Sequence, residues 1–425
     1  MVRLCFFTWI LVYITCQARA QPGYGGEWKK TRLYGHAFVN DGFNEEQYAW
    51  VRNHFEYFCF EKKHAYNKYD SPSHEISSRD DAAKLVAQNP RSKPIMIYSI
   101  SHAYPQFFES EALAKKEHPE YFHSDGKHLN LANPDENKWY ADVIDSNCEN
   151  SELVGIFVDG VNWAVQNGYA EQVKSITSRI NSFTLLNAFH PTKDRTKLID
   201  GLELLVHADG IFVDSWFRRL CDNTTAAETL IEACLQVPDD KVMILNSWND
   251  LKDIWGDGHS FSHAAYLMVA HDQTYYRWAE EGTWGENVLM VWHEDFGKEM
   301  GKPLSRAVRT GYAYERVFEH CTVNIDLEKK TSSVVWDQNN TLVNVEGLSI
   351  SAPKKTLKPG KSLKLTAEFS PSTATYQGVT WSTSDNSLAS IGSDGMLTAN
   401  KTGMVTVTGK SSDGGFTSSL KIKIQ

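Results

Sequence analysis

Two stretches of the chain, Gly155–Asp159 and Gly210–Asp214, both read Gly-Ile-Phe-Val-Asp. Each is an apolar run that ends on a carboxylate, with a tryptophan close behind, Trp163 after the first and Trp216 after the second. Two carboxylates facing each other across a cleft are what cleavage of a glycosidic bond needs. One, protonated, donates to the leaving oxygen, and the other attacks the anomeric carbon or activates water. The two must titrate apart, which a partly closed aromatic cleft can arrange. Asp159 is therefore assigned as nucleophile or base and Asp214 as acid/base, although residue types alone leave the reverse assignment open. Asp209 precedes the second run and reads as a structural residue at the start of a strand.

The elements that must position these acids follow from the spacing of apolar runs. Strands are predicted at Leu33–Phe38, Phe55–Phe60, Pro94–Ile100, Leu153–Val158, Phe183–Asn187, Gly210–Val213, Lys241–Leu245 and Ala264–Val269. Amphipathic stretches lie between them: Glu45–Asn53, Arg79–Gln88, Gln106–Lys116, Trp139–Asn147, Ala170–Ile180, Arg195–Leu205 and Thr225–Leu235. Alternating strands and helices imply a parallel sheet with helical crossovers. Strands lacking polar alternation suit a sheet covered on both faces. Eight such units predict a (β/α)8 TIM barrel, in which chemistry sits at the C-terminal ends of the strands. Asp159 and Asp214 would then end strands four and six and share one mouth.

The other strand ends supply groups suited to gripping sugar hydroxyls. Strand one offers His36, and strand two runs into Glu61, Lys62 and His64. Strand three offers Tyr98 and His102, with Ser101 and Tyr104 beside them. Strand five offers Asn187 and His190, and strand seven Asn246 and Trp248. With Trp163 and Trp216, these form the predicted substrate-binding set. Glu294, in a Val291–Asp295 stretch, is a rival third carboxylate. His259 and His263 have helical spacing, but no further ligand stands near them in sequence, so no metal is implied and no cofactor is expected. There is no GxSxG elbow, P-loop, HExxH or dinucleotide fingerprint.

Bulk properties agree with an exported carbohydrate-binding protein. Residues 1–20 pair a short basic start with an apolar stretch and an Ala-x-Ala ending, the pattern of a signal peptide cleaved after Ala20. The expected location is therefore secreted or cell-surface. No other segment is apolar enough for a membrane helix. Losing Arg3 and Arg19 takes the net charge from -10 to -12, which argues against nucleic acid as a partner. The chain has 13 Trp, 18 Tyr and 20 Phe, enough flat faces both to fill a core and to stack on pyranose rings. Five cysteines remain outside the leader: Cys59, Cys148, Cys221, Cys234 and Cys321. Export permits one or two disulfides, yet mostly buried thiols are expected. Asn223, Asn339 and Asn400 head sequons that matter only in a eukaryotic secretory host.

Domain limits follow from a change of pattern. The barrel domain is predicted over 21–336, closed by a hairpin of Cys321–Leu327 and Ser332–Trp336. Residues 337–344 form a polar linker. From 345 to 425 the chain is rich in Ser, Thr, Gly and Lys, alternates at strand length and carries turn signals such as Lys358-Pro359-Gly360. That predicts a small all-β immunoglobulin-like sandwich. The phrases "SISAPKKTLKPGKSLKLTAEFSPSTAT" and "VTWSTSDNSLASIGSDGMLTANKTGMVTVTGKSSDG" resemble the bacterial immunoglobulin-like domain of group 2. The resemblance implies a spacer or a module for wall or glycan contact. The barrel resembles hypothetical glycoside hydrolase barrels of bacterial polysaccharide degraders, on "GIFVDG", "ADGIFVDSWF" and "MVWHEDFGKEMGKPL". That resemblance implies an acid at the ends of strands four and six, with Asp214 standing where a glutamate is usual.

The leading expectation is a secreted glycoside hydrolase acting on a poly- or oligosaccharide. Two alternatives stand beside it. One is a polysaccharide lyase on the same barrel, with Tyr98 or His102 abstracting a proton and Lys62 neutralising a uronate. The other is a non-catalytic carbohydrate-binding or adhesion protein.

Overall fold

Eight short runs dominated by β-branched and aromatic residues become parallel strands: β1 Leu33–Ala37, β2 Phe55–Phe60, β3 Lys93–Ser99, β4 Gly155–Asp159, β5 Phe183–Leu186, β6 Gly210–Val213, β7 Val242–Trp248 and β8 Thr274–Ala279. Each pairs with the next and β8 returns to β1, so the sheet closes into a barrel. This computed structural model describes residues 28–69, 71–188, 201–214, 216–217, 221, 223–248, 255, 258–279, 292–336, 343, 345–374, 377–392, 394–411 and 415–425. The predicted leader, His190 and most of the linker lie outside the described residues.

Helices α1 Glu45–His54, α2 His74–Gln88, α3 Glu109–Glu117, α4 Pro134–Glu149, α5 Val161–Gln166, α6 Ala170–Thr177, α7 Gly201–Leu204, α8 Thr224–Cys234 and α9 His259–Val269 fill the crossovers. Their starts are locally specified. Asn44 and Gln47 form a reciprocal capping box on α1. Pro134 occupies the first turn of α4 behind an Asn133 cap. The repeated glycines that open β4 and β6 have a steric cause. A Cβ on Gly155 would lie 1.9 Å from the Phe183 carbonyl oxygen, and one on Gly210 would lie 2.7 Å from that of Val242.

One expectation is corrected. Ala264–Val269 is not strand eight but part of α9, and the eighth strand is Thr274–Ala279. Every residue of α9 except Ser260 is buried. One side of the helix meets β7 and β8, and the other meets the strands that follow the barrel. A helix covered on both sides loses the one-sided apolar stripe that distinguishes it from a buried strand. The predicted hairpin is present within a four-stranded antiparallel sheet of β9 Val308–Thr310, β10 Ala313–Val317, β11 Thr322–Asp326 and β12 Thr331–Val335, in which β11 and β12 are its two arms. Its inward face carries Tyr314, Arg316, Val323 and Ile325. The Arg316 guanidinium donates to the carbonyls of Leu267, Met268 and Ala270, closing the C-terminal end of α9.

The tail is all β: β13 Gly347–Ser351, β14 Thr356–Leu357, β15 Ser362–Lys364, β16 Thr366–Ser370, β17 Val379–Thr383, β18 Ala389–Ile391, β19 Met396–Ala399, β20 Gly403–Ser411 and β21 Thr417–Ile424. They form sheets ordered β14-β21-β20-β17, β15-β19-β18 and β13-β16. Leu357, Leu363, Leu365, Leu397, Val405, Val407, Ile422 and Ile424 make its core, a cluster distinct from the core of the barrel.

Three buried carboxyls beneath the loops after β2 and β3 are raised to about 8: Glu75 by burial and then Glu109, Glu111 by burial, and Glu136 by burial alone. Glu75 and Ser110 hold α2 and α3 together, since Ser110 donates to the Glu75 carboxylate through both its amide and its hydroxyl. Glu136 has no hydrogen-bond partner among the described residues. Because their folded values exceed the usual 4.5, these groups contribute stability in acid that is lost as pH climbs toward 8, by about 1.4 kcal/mol per pH unit for each group. Buried His74, His259, His263 and His271 act oppositely. Burial lowers them to about 3, 2, 4 and 4, so their stability is present above 6.5 and is lost below it. Unfolding by urea should therefore show stability falling between pH 6.5 and 8. Glu136→Gln should flatten that fall by about one third, and an unchanged slope would contradict the assignment.

Candidate active site

The C-terminal mouth of the barrel holds a cleft of about 610 Å³. His36, Ile97 and Phe157 line its floor, where Phe157 meets His36 and Phe212 edge to face at 5.1 and 4.8 Å. Much of its described wall comes from the segments after β1, β2 and β3: Phe38, Glu61, Lys62, Lys63, Tyr104, Gln106 and Phe107. Asp159 ends β4, in register with Ser99 of β3. Asp214 follows β6 directly. Both line this cleft, as does Asn187 after β5.

A chain of polar contacts leads to Asp159. The Tyr34 hydroxyl lies 3.1 Å from His36 Nδ1, and His36 Nε2 lies 2.8 Å from Glu61 Oε2. Lys62 Nζ lies 2.9 Å from Glu61 Oε1 and 3.3 Å from Asp159 Oδ2. The Asn187 amide and the Gly160 N–H donate to Asp159 Oδ1. Burial alone would raise Glu61, but Lys62 and His36 outweigh it and hold the carboxyl below the usual range. Burial would lower Lys62, yet Glu61 and Asp159 hold it protonated, above its ordinary value. His36 is pushed down by burial despite Glu61, so a neutral ring bridging Tyr34 and Glu61 fits the site. Gly160 has φ +76, and a Cβ there would lie 2.0 Å from Ser101 Oγ. Only glycine lets the chain turn sharply enough to present Asp159.

Asp214 has a different neighbourhood. The Asn246 side chain donates to its Oδ1 at 3.0 Å. Arg277, opposite Asn246 on β8, donates to Asn246 Oδ1 at 2.8 Å and to the His36 carbonyl at 3.2 Å. Burial pushes Arg277 down to about 10. Asp159 thus touches an ammonium directly, whereas Asp214 touches a neutral amide that an arginine orients.

Of the residues singled out from sequence, His36, Glu61, Lys62, Asn187, Asp159 and Asp214 meet in the cleft, and Asn246 supports Asp214 from behind. Four others are corrected, because none lines the cleft. Tyr98 faces outward, its hydroxyl on Ser110 and its ring against Phe108 and Tyr140. His64 is buried, bonded to Asp81 at 2.7 Å, and fastens the loop after β1 to α2. Trp216 is fully buried and donates to the Ser262 carbonyl of α9. Trp248 is buried with Arg277 5.4 Å above its ring. In each case strand alternation or loop direction turns the side chain toward the helix layer or the barrel wall.

His102 and Trp163 stand apart from the cleft lining, in an aromatic group with His128. The Trp163 ring lies 4.8 Å from His128, nearly parallel, and 5.8 Å from His102. Burial, then His128, lowers His102. Glu294 sits in a short 3-10 turn, exposed, beside Lys298, so the rival third carboxylate is outside the cleft lining. His259 and His263 are buried in α9, and His263 bonds Thr31 at 2.8 Å. No cluster of three His, Cys, Asp or Glu suited to a metal occurs among the described residues. Cys59, Cys148, Cys221, Cys234 and Cys321 are free thiols. No helix among the described residues is long and apolar enough to cross a membrane.

Arg277 was not legible from sequence, because α9 occupied the place of strand eight. The signal was present in the run Thr274–Ala279, rich in aromatic residues. Lys63, in the polar run that follows strand two, also belongs to the site. It lines the cleft with φ +73, a left-handed conformation costing a non-glycine residue about 1–2 kcal/mol.

Residues 344–422 match the family described as bacterial Ig-like domain (group 2). The tail is a group 2 bacterial Ig-like domain. A stretch of 85 residues, 20% of this chain, is 36% identical to an alpha-L-arabinofuranosidase of Bifidobacterium longum subsp. longum and spans 8% of that protein. A stretch of the same length is 34% identical to the kappa-carrageenase of Pseudoalteromonas carrageenovora and spans 21% of it. The chain therefore spans a small part of these curated relatives. Among solved structures, the maltogenic alpha-amylase AmyB of Thermotoga neapolitana superimposes with a TM-score of 0.45 at 10% identity, covering 94% of this chain and 97% of that one.

Lys62 is under one-fifth exposed and neutralises two acids. Lys62→Met should destabilise the protein by about 3 kcal/mol, since it leaves carboxylates unpaired in a half-buried site. Lys62→Arg should restore most of that loss. Urea midpoints of the two variants check this, and equal midpoints for Lys62→Met and wild type would contradict it.

Proposed function

We propose that the barrel is a glycoside hydrolase that cleaves O-glycosidic bonds of a poly- or oligosaccharide by a two-carboxylate mechanism, and that the protein is exported. The observation that carries this reading is the shared cleft of Asp159 and Asp214, delivered by next-but-one strands and walled by Phe38, Tyr104 and Phe107. A ring-sized space with flat aromatic faces and two acids suits a sugar held for hydrolysis. The surroundings of the two acids support one division of roles. Lys62 puts positive charge beside Asp159, which suits the group that must be anionic to attack the anomeric carbon or to activate water. Asp214, held by the Asn246 amide, suits the proton donor. The reaction begins with proton transfer from Asp214 to the leaving oxygen as the bond to the anomeric carbon opens. Either Asp159 closes on that carbon and a water deprotonated by Asp214 then displaces it, or a water closes on the carbon and gives its proton to Asp159.

The Ig-like tail supports a polysaccharide substrate. An arabinofuranosidase and a carrageenase are among the proteins that share an 85-residue stretch with this chain. The lyase reading loses two of its parts, because Tyr98 is buried behind the sheet and Lys62 is held between two carboxylates. The non-catalytic reading predicts glycan binding without products.

Purified protein on a panel of polysaccharides, with reducing-end detection, tests the proposal. Asp159→Asn and Asp214→Asn should each lower product formation by roughly 10²–10⁴-fold. Asp214→Asn should recover on an aryl glycoside whose leaving group needs no proton. Wild-type turnover by Asp159→Asn would end the proposal, and an ultraviolet-absorbing unsaturated product would favour the lyase.

A further inference from the structure

The cleft holds two lysines that differ sharply in their surroundings. Lys62 is committed, with Glu61 and Asp159 on its ammonium. Lys63, the next residue, has no carboxylate within ion-pair distance among the described residues. Its ammonium instead lies 5.3 Å over the face of Phe107, another residue of the cleft wall. The left-handed backbone at Lys63 belongs to a turn fastened at several points. His64 N–H donates to the Glu61 carbonyl, Ala65 N–H to that of Val39 and Tyr66 N–H to that of Lys63. Glycine or asparagine would be the ordinary residue for that backbone. A strained lysine, exposed at the wall of a cleft, is the kind of outlier that accompanies ligand binding.

The charges already in the cleft sharpen the point. Glu61 is answered by Lys62 and hydrogen-bonded by His36, and Asp159 is answered by Lys62. Arg277 is turned to Asn246 and the His36 carbonyl. Of the two lysines in the described lining, Lys63 is therefore the one with no carboxylate within ion-pair distance among the described residues. A cation resting on an aromatic face meets an incoming anion with little desolvation of its own, while the ring contacts the sugar.

We propose that Lys63 recognises an anionic substituent, a uronate carboxylate or a sulfate ester, on the sugar bound in the cleft. This rests on the glycosidase reading and names its substrate class as acidic glycans. Lys62, expected from sequence to neutralise a uronate, cedes that role to its neighbour.

The test compares wild type, Lys63→Gln and Lys63→Arg on three arms: a uronate-containing glycan, a sulfated glycan, and the same two glycans after carboxyl reduction or desulfation. Wild type should act best on one acidic arm, which identifies the anion. Lys63→Gln should lower kcat/KM on that arm by roughly 10-fold more than on its neutral counterpart, through KM. Lys63→Arg should keep most of the preference. Equal losses on acidic and neutral glycans, or wild-type activity confined to neutral ones, would overturn the proposal and leave the glycosidase reading standing. Calorimetric binding of the same glycans in the Asp159→Asn background reads Lys63 without turnover. A preference for the acidic glycan that Lys63→Gln abolishes supports the site even where no product forms. Equal binding by the two proteins overturns it.

Discussion

One ammonium, that of Lys62, makes the acidic floor of this barrel tenable. Glu61 and Asp159 arrive from β2 and β4, and in a half-buried cleft two such carboxylates would repel each other strongly. Lys62 lies between them, at 2.9 and 3.3 Å. Glu61 is fixed in turn by His36, and His36 by Tyr34, so the position of Asp159 is referred back to the buried interior of β1. The Gly160 turn and the Asn187 amide fix its other oxygen. Hydrogen bonding from several strands leaves the carboxylate little freedom, which is what a group acting at a fixed distance from a reacting carbon requires.

Asp214 is built on the opposite plan. Its carboxylate accepts from the amide of Asn246, which Arg277 from β8 orients. The two acids come from identical pentapeptides but finish in unequal electrostatic settings. The repeat supplies two equivalent strands, while the neighbouring strands supply the difference. The electrostatic asymmetry here is a property of β2, β7 and β8 more than of the repeated runs themselves.

Sequence legibility followed the same division. Strands whose apolar runs are bounded by polar loops, such as Phe55–Phe60 and Gly210–Val213, match their observed ranges residue for residue. Asp159 and Asp214 were placed at strand ends, because a carboxylate closing an apolar run has few other places to go. The differences have two causes. Burial on every side erases periodicity, so α9 looked like a strand, and β8 with its Arg277 went unread. Tyr98, Trp216 and Trp248 carry the right chemistry at the right height of the barrel but face the wrong way. A one-residue change of phase along a strand decides which face a side chain takes, and residue type alone does not reveal it.

The apolar residues of the tail close upon themselves, with Leu357, Leu365, Val405, Val407 and Ile422 among them, and form a cluster separate from that of the barrel. Such a unit can be exchanged between genes as a ready-made part, since neither partner must redesign its interior to accept the other. A similarity confined to the tail therefore need not extend to the barrel beside it.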